Sequence, residues 1–461
     1  MKRRTPTLRA SIVAILAVAW AVAAFPGSLQ GQPAARIQGI LRDPAEIPSS
    51  FNPVGSGARA LAMGGAFIAV ADDATAASWN PGGLIQLERP EVSAVGAYLH
   101  RIEDIRFGAN PESDGPQSVS GLDLNYLSFA LPFTTLGHNM IVSLNYQHLF
   151  DLDRQWTFHR QDRDEAGRLE TEFLDNRQGG DLYALGLAYA VQLLPELSIG
   201  ATLNLWNDFL YDNAWTKRFR SSKEEFTQTG KPVVSQAAVE EHYSFEGMNF
   251  NVGFLWQVTE HLTVGGVFKS PFTADLKLRG SLANLQFSPA FPDRPPLSER
   301  ELAFEESQEM DMPMSYGLGL AWRFSDAFTL SADFHRTHWN DFVLRDGEGR
   351  EFFPISARPA KESDVDPTHH VRLGAEYLFI HPKHVVALRG GAFYDPVPAE
   401  GSPDDFFGLS AGGGFAVNRF SLDFAYQYRF GRDVGGYLFE GRDFSCDVDE
   451  HKLYASIILY F

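Results

Sequence analysis

The sequence predicts an all-β fold: a 14-stranded antiparallel transmembrane β-barrel with an N-terminal hatch inside its lumen. Three observations support this prediction. Apolar and polar residues alternate along segments of about ten residues, the number of segments is even, and their connections are alternately short and long. Alternation alone also fits a soluble β-sandwich, but strands of about 9–11 residues and connections sorted by length are typical of outer-membrane barrels.

The composition excludes several other classes of protein. The chain has 461 residues, with 39 basic and 58 acidic side chains and a formal net charge of −19. This negative charge disfavours nucleic-acid binding, because it repels phosphate groups. Cys446 is the single cysteine, so the sequence holds no disulfide framework and no cysteine-based zinc site. The 37 Phe and 41 Gly residues suit packed β-structure that faces an apolar solvent.

The first segment is interpreted as a targeting sequence. Lys2, Arg3 and Arg4 precede an apolar stretch over residues 11–25, and small residues follow. This pattern predicts a secretory signal peptide within residues 1–31, with the cleavage site left open. The alternative is an uncleaved anchor helix, for which the stretch is short, because a spanning helix needs about 20 apolar residues.

Strands are predicted where apolar residues recur at every second position. In one example, Leu422, Phe424, Tyr426, Tyr428 and Phe430 alternate with mostly polar neighbours, so that one face of the strand is apolar and aromatic. The fourteen predicted strands cover residues 91–100, 122–132, 138–149, 181–193, 196–208, 243–258, 261–270, 313–324, 327–337, 368–380, 384–394, 406–417, 419–430 and 451–461. An even number lets the first and last strands meet antiparallel and close the barrel.

The connections provide an independent test of the barrel. Short connections are predicted at 132–137, 194–195, 259–260, 325–326, 381–383 and 418. Long loops are predicted at 101–121, 150–180, 209–242, 271–312, 338–367, 395–405 and 431–450. Short periplasmic turns and long extracellular loops are the known asymmetry of these barrels. We therefore assign residues 91–461 to the barrel and its loops.

Residues 32–90 precede the first strand and do not alternate. They are rich in Gly and Ala, too apolar for a solvated tail and too short to form a core of their own. We predict that this segment is a hatch, or plug, inside the lumen. The alternative is a small periplasmic flap.

Three motifs of this segment resemble the hatch of the FadL family of outer-membrane transporters for hydrophobic compounds. They are residues 57–67 (GARALAMGGAF), 71–75 (ADDAT) and 79–84 (WNPGGL), and the stretches 313–339 and 371–379 resemble the same family. In the family the last hatch motif usually reads Asn-Pro-Ala-Gly. The resemblance implies capture of a long-chain fatty acid or aromatic hydrocarbon by outer loops, binding in the lumen, rearrangement of the hatch and lateral exit into the membrane.

The resemblance also implies roles for particular residues. Asn80, Pro81 and Gly82 match the gate motif, and Gly82 in place of Ala is expected to loosen the gate because glycine has more backbone freedom. The third and fourth outer loops form the capture groove in the family. The candidates for capture in those loops are Trp215, Phe219, Phe226, Leu285, Phe287 and Phe291. The alternative is that these side chains pack against the rim of the barrel.

Four arginines are candidates for binding a carboxylate head group in the lumen. They are Arg323, Arg372, Arg389 and Arg429, since guanidinium groups bind carboxylates through two hydrogen bonds. The alternative is that they pair with acidic neighbours such as Glu376 or Asp423.

The sequence does not indicate an enzyme. Residues 408–412 (GLSAG) fit the Gly-x-Ser-x-Gly pattern of hydrolases, but that motif needs a strand-turn-helix context and here lies within a predicted strand. No metal site and no cofactor are predicted. The expected partners are a hydrophobic small molecule and outer-membrane lipid, and we expect a monomer. Two other functions stay open: a PorV-like partner in protein secretion and surface attachment, which shares the N-terminal motifs, and a water-filled porin.

Overall fold

The structure of the chain is a computed structural model. It describes residues 55–164, 166–207, 212–227, 230–291, 294–439 and 443–461. The predicted signal peptide and the first part of the predicted hatch, residues 32–54, lie outside the described residues. No helix in the described part of the chain is long and apolar enough to span a membrane.

The described residues form twenty strands in one antiparallel sheet. The strands are β1 (Glu91–Phe107), β2 (Gly115–Thr135), β3 (His138–Asp151), β4 (Arg154–Arg163), β5 (Leu169–Leu194), β6 (Leu197–Trp206), β7 (Ala214–Phe226), β8 (Pro232–Gln257), β9 (Leu262–Lys269), β10 (Phe272–Phe287), β11 (Ser298–Met312), β12 (Ser315–Ser325), β13 (Phe328–Thr337), β14 (Val343–Arg345), β15 (Glu351–Phe352), β16 (Thr368–Ile380), β17 (Val385–Tyr394), β18 (Phe406–Val417), β19 (Phe420–Val434) and β20 (Phe444–Tyr460).

Eighteen of these strands make fourteen staves, that is, fourteen positions around a closed barrel, and the short strands β14 and β15 form a hairpin that pairs with β11. Four staves consist of two consecutive strands that continue in one direction across a short break: β3 with β4, β6 with β7, β9 with β10, and β11 with β12. The last strand, β20, pairs with β1 along its length, from Glu91 opposite Tyr460 to Phe107 opposite Phe444. This closure leaves no sheet edge in the wall, and the predicted fold class is confirmed.

The two faces of the wall have opposite character, as a barrel in lipid requires. Along β19, Phe424 and Tyr426 are 62% and 42% exposed on the outside, whereas Asp423 and Gln427 are buried on the inside. The apolar face predicted from the alternation is therefore the outer one.

The two ends of the barrel also differ. All six connections predicted to be short are tight turns, for example Leu136–Gly137 between β2 and β3. At the other end, much of the chain predicted as loop is strand: β8 begins at Pro232 rather than at residue 243, and β7, β10 and β11 fill most of 209–242 and 271–312. The predicted strand ends there are wrong, because tall antiparallel hairpins extend the wall beyond the predicted strands.

Residues 55–87 lie inside the barrel, in its short-turn half. They form helix α1 (Ala58–Ala62), helix α2 (Ala76–Trp79) and a 3-10 helix (Pro81–Gln86). Hydrogen bonds reach this segment from strands all around the wall. The donors and acceptors are Tyr126 on β2, Ser198 and Thr202 on β6, Ser331 and Asp333 on β13, Ser410 on β18 and Ser456 on β20. A segment contacted from all sides of a closed wall occupies the lumen.

Candidate functional site

The Asn80–Gly82 turn is fastened by the Asn80 amide. Asn80 Nδ2 donates hydrogen bonds to the carbonyl oxygens of Ile68 in the hatch and Phe254 on β8, both at 2.8 Å. Asn80 Oδ1 accepts a hydrogen bond from the Gly82 amide at 3.1 Å, which caps the 3-10 helix. On the other side of the turn, Ser198 Oγ donates to the Gly82 carbonyl at 2.8 Å. One buried side chain therefore joins the predicted gate to the wall.

Glycines make this close approach possible. A methyl group on Gly82 would lie 2.8 Å from the Phe254 Cα atom, and one on Gly200 of β6 would collide with the Pro81 carbonyl oxygen. A methyl group on Gly253 would collide with Asn80 Oδ1. The loosening of the gate by Gly82 stays a prediction. In the structure the Gly82 backbone is not in the left-handed region, and the missing side chain lets the turn pack tightly against β8.

Asp333 on β13 anchors the middle of the hatch. Its Oδ2 atom accepts hydrogen bonds from the backbone amides of Phe67 and Ile68, at 2.7 and 2.8 Å. Next to it, Ser331 Oγ donates to the Ala66 carbonyl at 2.8 Å. These bonds satisfy buried backbone groups in a segment that has little regular structure of its own.

A buried charge network joins the start of the hatch to the wall. Arg59 on α1 binds Asp72 of the hatch and Glu376 on β16, with Arg59 Nη2 2.8 Å from Glu376 Oε1. Glu376 also accepts from Arg389 Nε on β17 at 2.6 Å, and Arg389 Nη1 lies 2.6 Å from Asp423 Oδ1. The alternative interpretation of Arg389, that it pairs with Glu376 or Asp423, agrees with these contacts.

The other three predicted head-group arginines occupy two different places. Arg372 and Arg429 both bind the carboxylate of Asp395, at 2.7 and 3.1 Å, and Arg429 also lies 3.2 Å from Glu450 Oε2. Arg323 is exposed at the short-turn end of β12, next to the turn that follows Ser325. The prediction that Arg323 faces the lumen is wrong, because the alternation was continued into the rim of the barrel, where an inward position meets solvent.

Lys269 is a cationic lumen residue outside the four predicted head-group arginines. It ends β9 on the inward face, and no acidic side chain in the described part of the chain pairs with it. Lys269 interacts electrostatically with Arg372 and with His335, and the buried Nε2 atom of His335 has no hydrogen-bond partner among the described residues. Because Asp395 is shared by Arg372 and Arg429, it leaves Lys269 without a carboxylate, and we name Lys269, Arg372 and His335 the cationic cluster.

The hairpin half of the lumen holds an apolar cavity, here called the upper pocket. Its lining includes Leu152, Leu182, Trp215, Tyr243, Leu276 and Met310. The space among its side chains is about 690 Å³, including the part that is open to solvent. Gln178 and Lys217 supply its polar groups. An apolar lining with few polar groups is typical of a site for a small apolar molecule.

A chain of polar contacts joins the hydrophobic core around the upper pocket to the cationic cluster. Trp339, in the hydrophobic core around the pocket, donates through Nε1 to Thr368 Oγ1 at 3.0 Å, and that hydroxyl lies 2.9 Å from His370 Nε2. His370 Nδ1 in turn lies 2.8 Å from Asp395 Oδ1. Hydrogen bonds therefore connect the core around the pocket to charged groups near the hatch.

The six capture candidates do not form one surface. Trp215 lines the upper pocket, stacked on Tyr243 with a centroid distance of 4.8 Å and an interplanar angle of 5°. Phe219, four residues further along β7, packs against a separate core around Phe107 and Trp156.

The remaining four candidates lie towards the tips of the hairpins. Leu285 and Phe287 are half-buried on β10, on the opposite face from Leu276. Phe226 packs under Arg168, and the exposed Phe291 lies 4.4 Å from the Arg294 guanidinium. The structure brings only Trp215 to the pocket.

Most pocket residues were missed because their segments were read as loops. Leu276 alternates with Leu278 inside a predicted loop, and Met310 and Met312 alternate in the same way. This period-2 signal was available. Phe342 and Leu344, by contrast, follow a short 3-10 helix and carry no sequence signal of their position.

Comparisons with known proteins agree with this fold. A family model described as outer membrane protein transport protein (OMPP1/FadL/TodX) matches residues 171–437, more than half of the chain. A search of curated protein sequences finds no relative of this chain.

Solved structures of low sequence identity share the architecture. A FadL homologue from Pseudomonas aeruginosa has 14% identity and a TM-score of 0.58, over 88% of this chain and 98% of the homologue. The toluene transporter TbuX from Ralstonia pickettii has 15% identity and a TM-score of 0.54, over 89% and 100%. The toluene transporter TodX from Pseudomonas putida has 13% identity and a TM-score of 0.54, over 88% and 98%. At such identities the similarity establishes the fold alone.

Proposed function

The chain belongs to the FadL/TodX family of outer-membrane transport proteins, and on this premise we propose that it carries long-chain fatty acids across the outer membrane. In this proposal the apolar chain of the ligand enters between the hairpins and binds in the upper pocket. Transfer of an apolar solute from water into such a pocket lowers its free energy, whereas entry into a water-filled pore does not.

The unpaired Lys269 is the observation that carries the choice of a fatty acid over a hydrocarbon. An ammonium group in the lumen without an acidic partner among the described residues is costly unless an anion joins it. A carboxylate bound between Lys269 and Arg372 would supply that anion and leave the apolar tail in the upper pocket. A toluene-like molecule has no group for this site.

The hatch supplies the gate in this proposal. The Asn80–Gly82 turn and the Arg59 network hold the segment closed, and its displacement would open a path from the upper pocket downwards. The ligand then leaves sideways into the membrane, because the short-turn end opens to the aqueous periplasm. Because the family consists of transport proteins, the activity to be tested is transport and not catalysis.

Binding of radiolabelled oleate to the purified protein in detergent tests the choice of substrate. We expect Lys269→Met to weaken oleate binding about 10- to 100-fold, the value of a lost charge-assisted hydrogen bond, and to leave toluene binding unchanged. Lys277→Met is the matched control, since Lys277 is an exposed lysine on the following strand, β10. Equal binding of oleate by wild type and Lys269→Met would contradict the proposed head-group site.

A second candidate, transport of aromatic hydrocarbons, is favoured by the parallel stack of Trp215 and Tyr243 in the pocket. Saturable toluene binding together with weak, Lys269-independent oleate binding would support it. A protein that binds neither ligand would instead support the PorV-like role in secretion.

A further inference from the structure

Beyond the proposed transport, three neighbouring staves bring together a histidine and two aspartates. Asp123 on β2, His148 on β3 and Asp181 on β5 each offer one ligand atom, and these three atoms all lie within 4.8 Å of one another. His148 Nε2 is 3.0 Å from Asp181 Oδ1 and 3.1 Å from the Phe150 carbonyl oxygen. One imidazole nitrogen, two carboxylates and a carbonyl are thus gathered at one point of the wall.

The group has features that an ordinary ion pair does not require. His148 is buried, and its Nδ1 atom has no hydrogen-bond partner among the described residues. Within the same described part of the chain, the carboxylate of Asp123 accepts no hydrogen bond and forms no ion pair. His148 and Asp123 also line a small cavity, so there is room beside their polar atoms.

The local charge is unbalanced. Asp151 and Asp153 lie close enough to Asp123 and Asp181 to repel them electrostatically. The Asp153 Oδ2 and Asp123 Oδ2 atoms both face Gly121, at 3.8 and 3.2 Å from the position of a methyl group on that residue.

The neighbouring cations are already engaged. Arg101 and Lys452 line the same cavity, but both pair with Glu450, at 2.9 and 3.8 Å. Three carboxylates, those of Asp123, Asp151 and Asp181, therefore act on one histidine.

We propose that Asp123, His148 and Asp181 bind a divalent transition-metal ion, with Zn²⁺ the ion that best fits one imidazole and two carboxylate ligands. Zinc sites with three protein ligands complete their tetrahedron with water, and ligand atoms around zinc lie about 3.3 Å apart. Small movements of the side chains bring the three atoms to that spacing. The ion would join β2, β3 and β5 beside Leu152 and Leu182 of the upper pocket.

The sequence alone gave no sign of this site. The three residues are separated by 25 and 33 positions and belong to no metal-binding motif. The direct pairing of β2 with β3 and of β3 with β5, with a register shift between His148 and Phe150, places them together.

Isothermal titration of ZnCl₂ into the purified, EDTA-treated protein in detergent tests the proposal. We expect one zinc ion per chain, and at least tenfold weaker binding for Asp123→Asn and for His148→Gln. Asp123→Asn is the variant least prone to misfold, because Asp123 has no partner to lose among the described residues. His159→Gln is the matched control: it removes an exposed histidine outside the group and should leave the affinity unchanged.

Two further readouts separate binding from general damage. Zn²⁺ should raise the melting temperature of the wild type and of His159→Gln, but not that of Asp123→Asn. The absence of stoichiometric zinc binding, or equal affinity in wild type and Asp123→Asn, would overturn the proposal. Binding of Ca²⁺ in place of Zn²⁺ would overturn the assignment of the ion. Oleate binding is measured separately, so failure here leaves the proposed transport untouched.

Discussion

The two halves of the lumen are built from different interactions. In the short-turn half, wall side chains such as Asp333, Ser331 and Ser410 form hydrogen bonds with the backbone of the hatch, and glycines of the wall allow direct backbone contact. In the hairpin half, the upper pocket is lined mainly by aliphatic and aromatic side chains such as Leu276 and Met310. The first half combines apolar packing with directed polar contacts to the hatch backbone, whereas apolar contacts line the pocket in the second half.

This difference indicates a division of tasks. Hydrogen bonds in a buried site fix one arrangement, because any displacement leaves polar groups unsatisfied. Apolar contacts tolerate ligands of various shapes, and a flexible methionine adapts to them. The hatch half therefore determines whether the path is closed, and the pocket half determines what enters.

The largest effect is expected from a bulky side chain between the hatch and the wall. Gly200→Leu forces the side chain into the Pro81 carbonyl, which must move because interiors are close-packed. We expect the displaced hatch to raise the uptake of small sugars into proteoliposomes at least tenfold over the wild type.

The matched control is a wall glycine at which an added side chain would meet no close neighbour. A methyl group on Gly390 of β17 would have its nearest contact at 3.8 Å, from the Ser410 carbonyl oxygen. Proteoliposomes that contain Gly390→Leu should take up small sugars no faster than those that contain the wild type. Equal leakage from both variants would show that the packing of the hatch does not close the lumen.

A smaller effect is expected in the pocket half. Trp215→Ala removes a large aromatic surface from the upper pocket, and we expect oleate affinity to fall about tenfold to a hundredfold. Phe291→Ala removes an exposed ring outside the pocket and should change the affinity less than twofold. Fluorescence titration with a labelled fatty acid measures both. If Phe291→Ala lowered the affinity for oleate more than Trp215→Ala does, the hairpin tips and not the upper pocket would be the main binding surface.

The smallest effect is expected from one hydrogen bond of the hatch. Ser410 Oγ donates to the Ala62 carbonyl at 3.0 Å, and Ser410→Ala should lower the free energy of unfolding by about 1 kcal/mol. Oleate uptake should continue at a rate close to that of the wild type. Complete loss of oleate uptake in Ser410→Ala, with normal folding, would contradict a purely structural role for this hydroxyl.

The sequence allowed the short-turn half of the wall to be predicted well. There one face of each strand meets lipid, so Phe424 and Tyr426 mark the alternation clearly. The same rule failed above the membrane, where both faces of a hairpin can be polar. The strand β11, for example, begins Ser-Glu-Arg-Glu and was read as a loop.

The candidate site was predicted less completely than the fold. The Asn80–Gly82 turn was found through a motif, but the wall glycines that receive it, such as Gly200, lie far away in sequence. The pairing of Arg372 with Asp395 and the isolation of Lys269 depend on which strands become neighbours. Contacts between distant staves are fixed by the closure of the barrel, and alternation along one strand does not encode them.

The most direct test of the account is an experimental structure of the protein soaked with a long-chain fatty acid brominated near its methyl end. The account predicts anomalous density for bromine in the upper pocket, between Trp215 and Met310, with the carboxylate next to Lys269. Bromine located only on the outer face of the barrel, in a protein that still takes up the fatty acid, would contradict it.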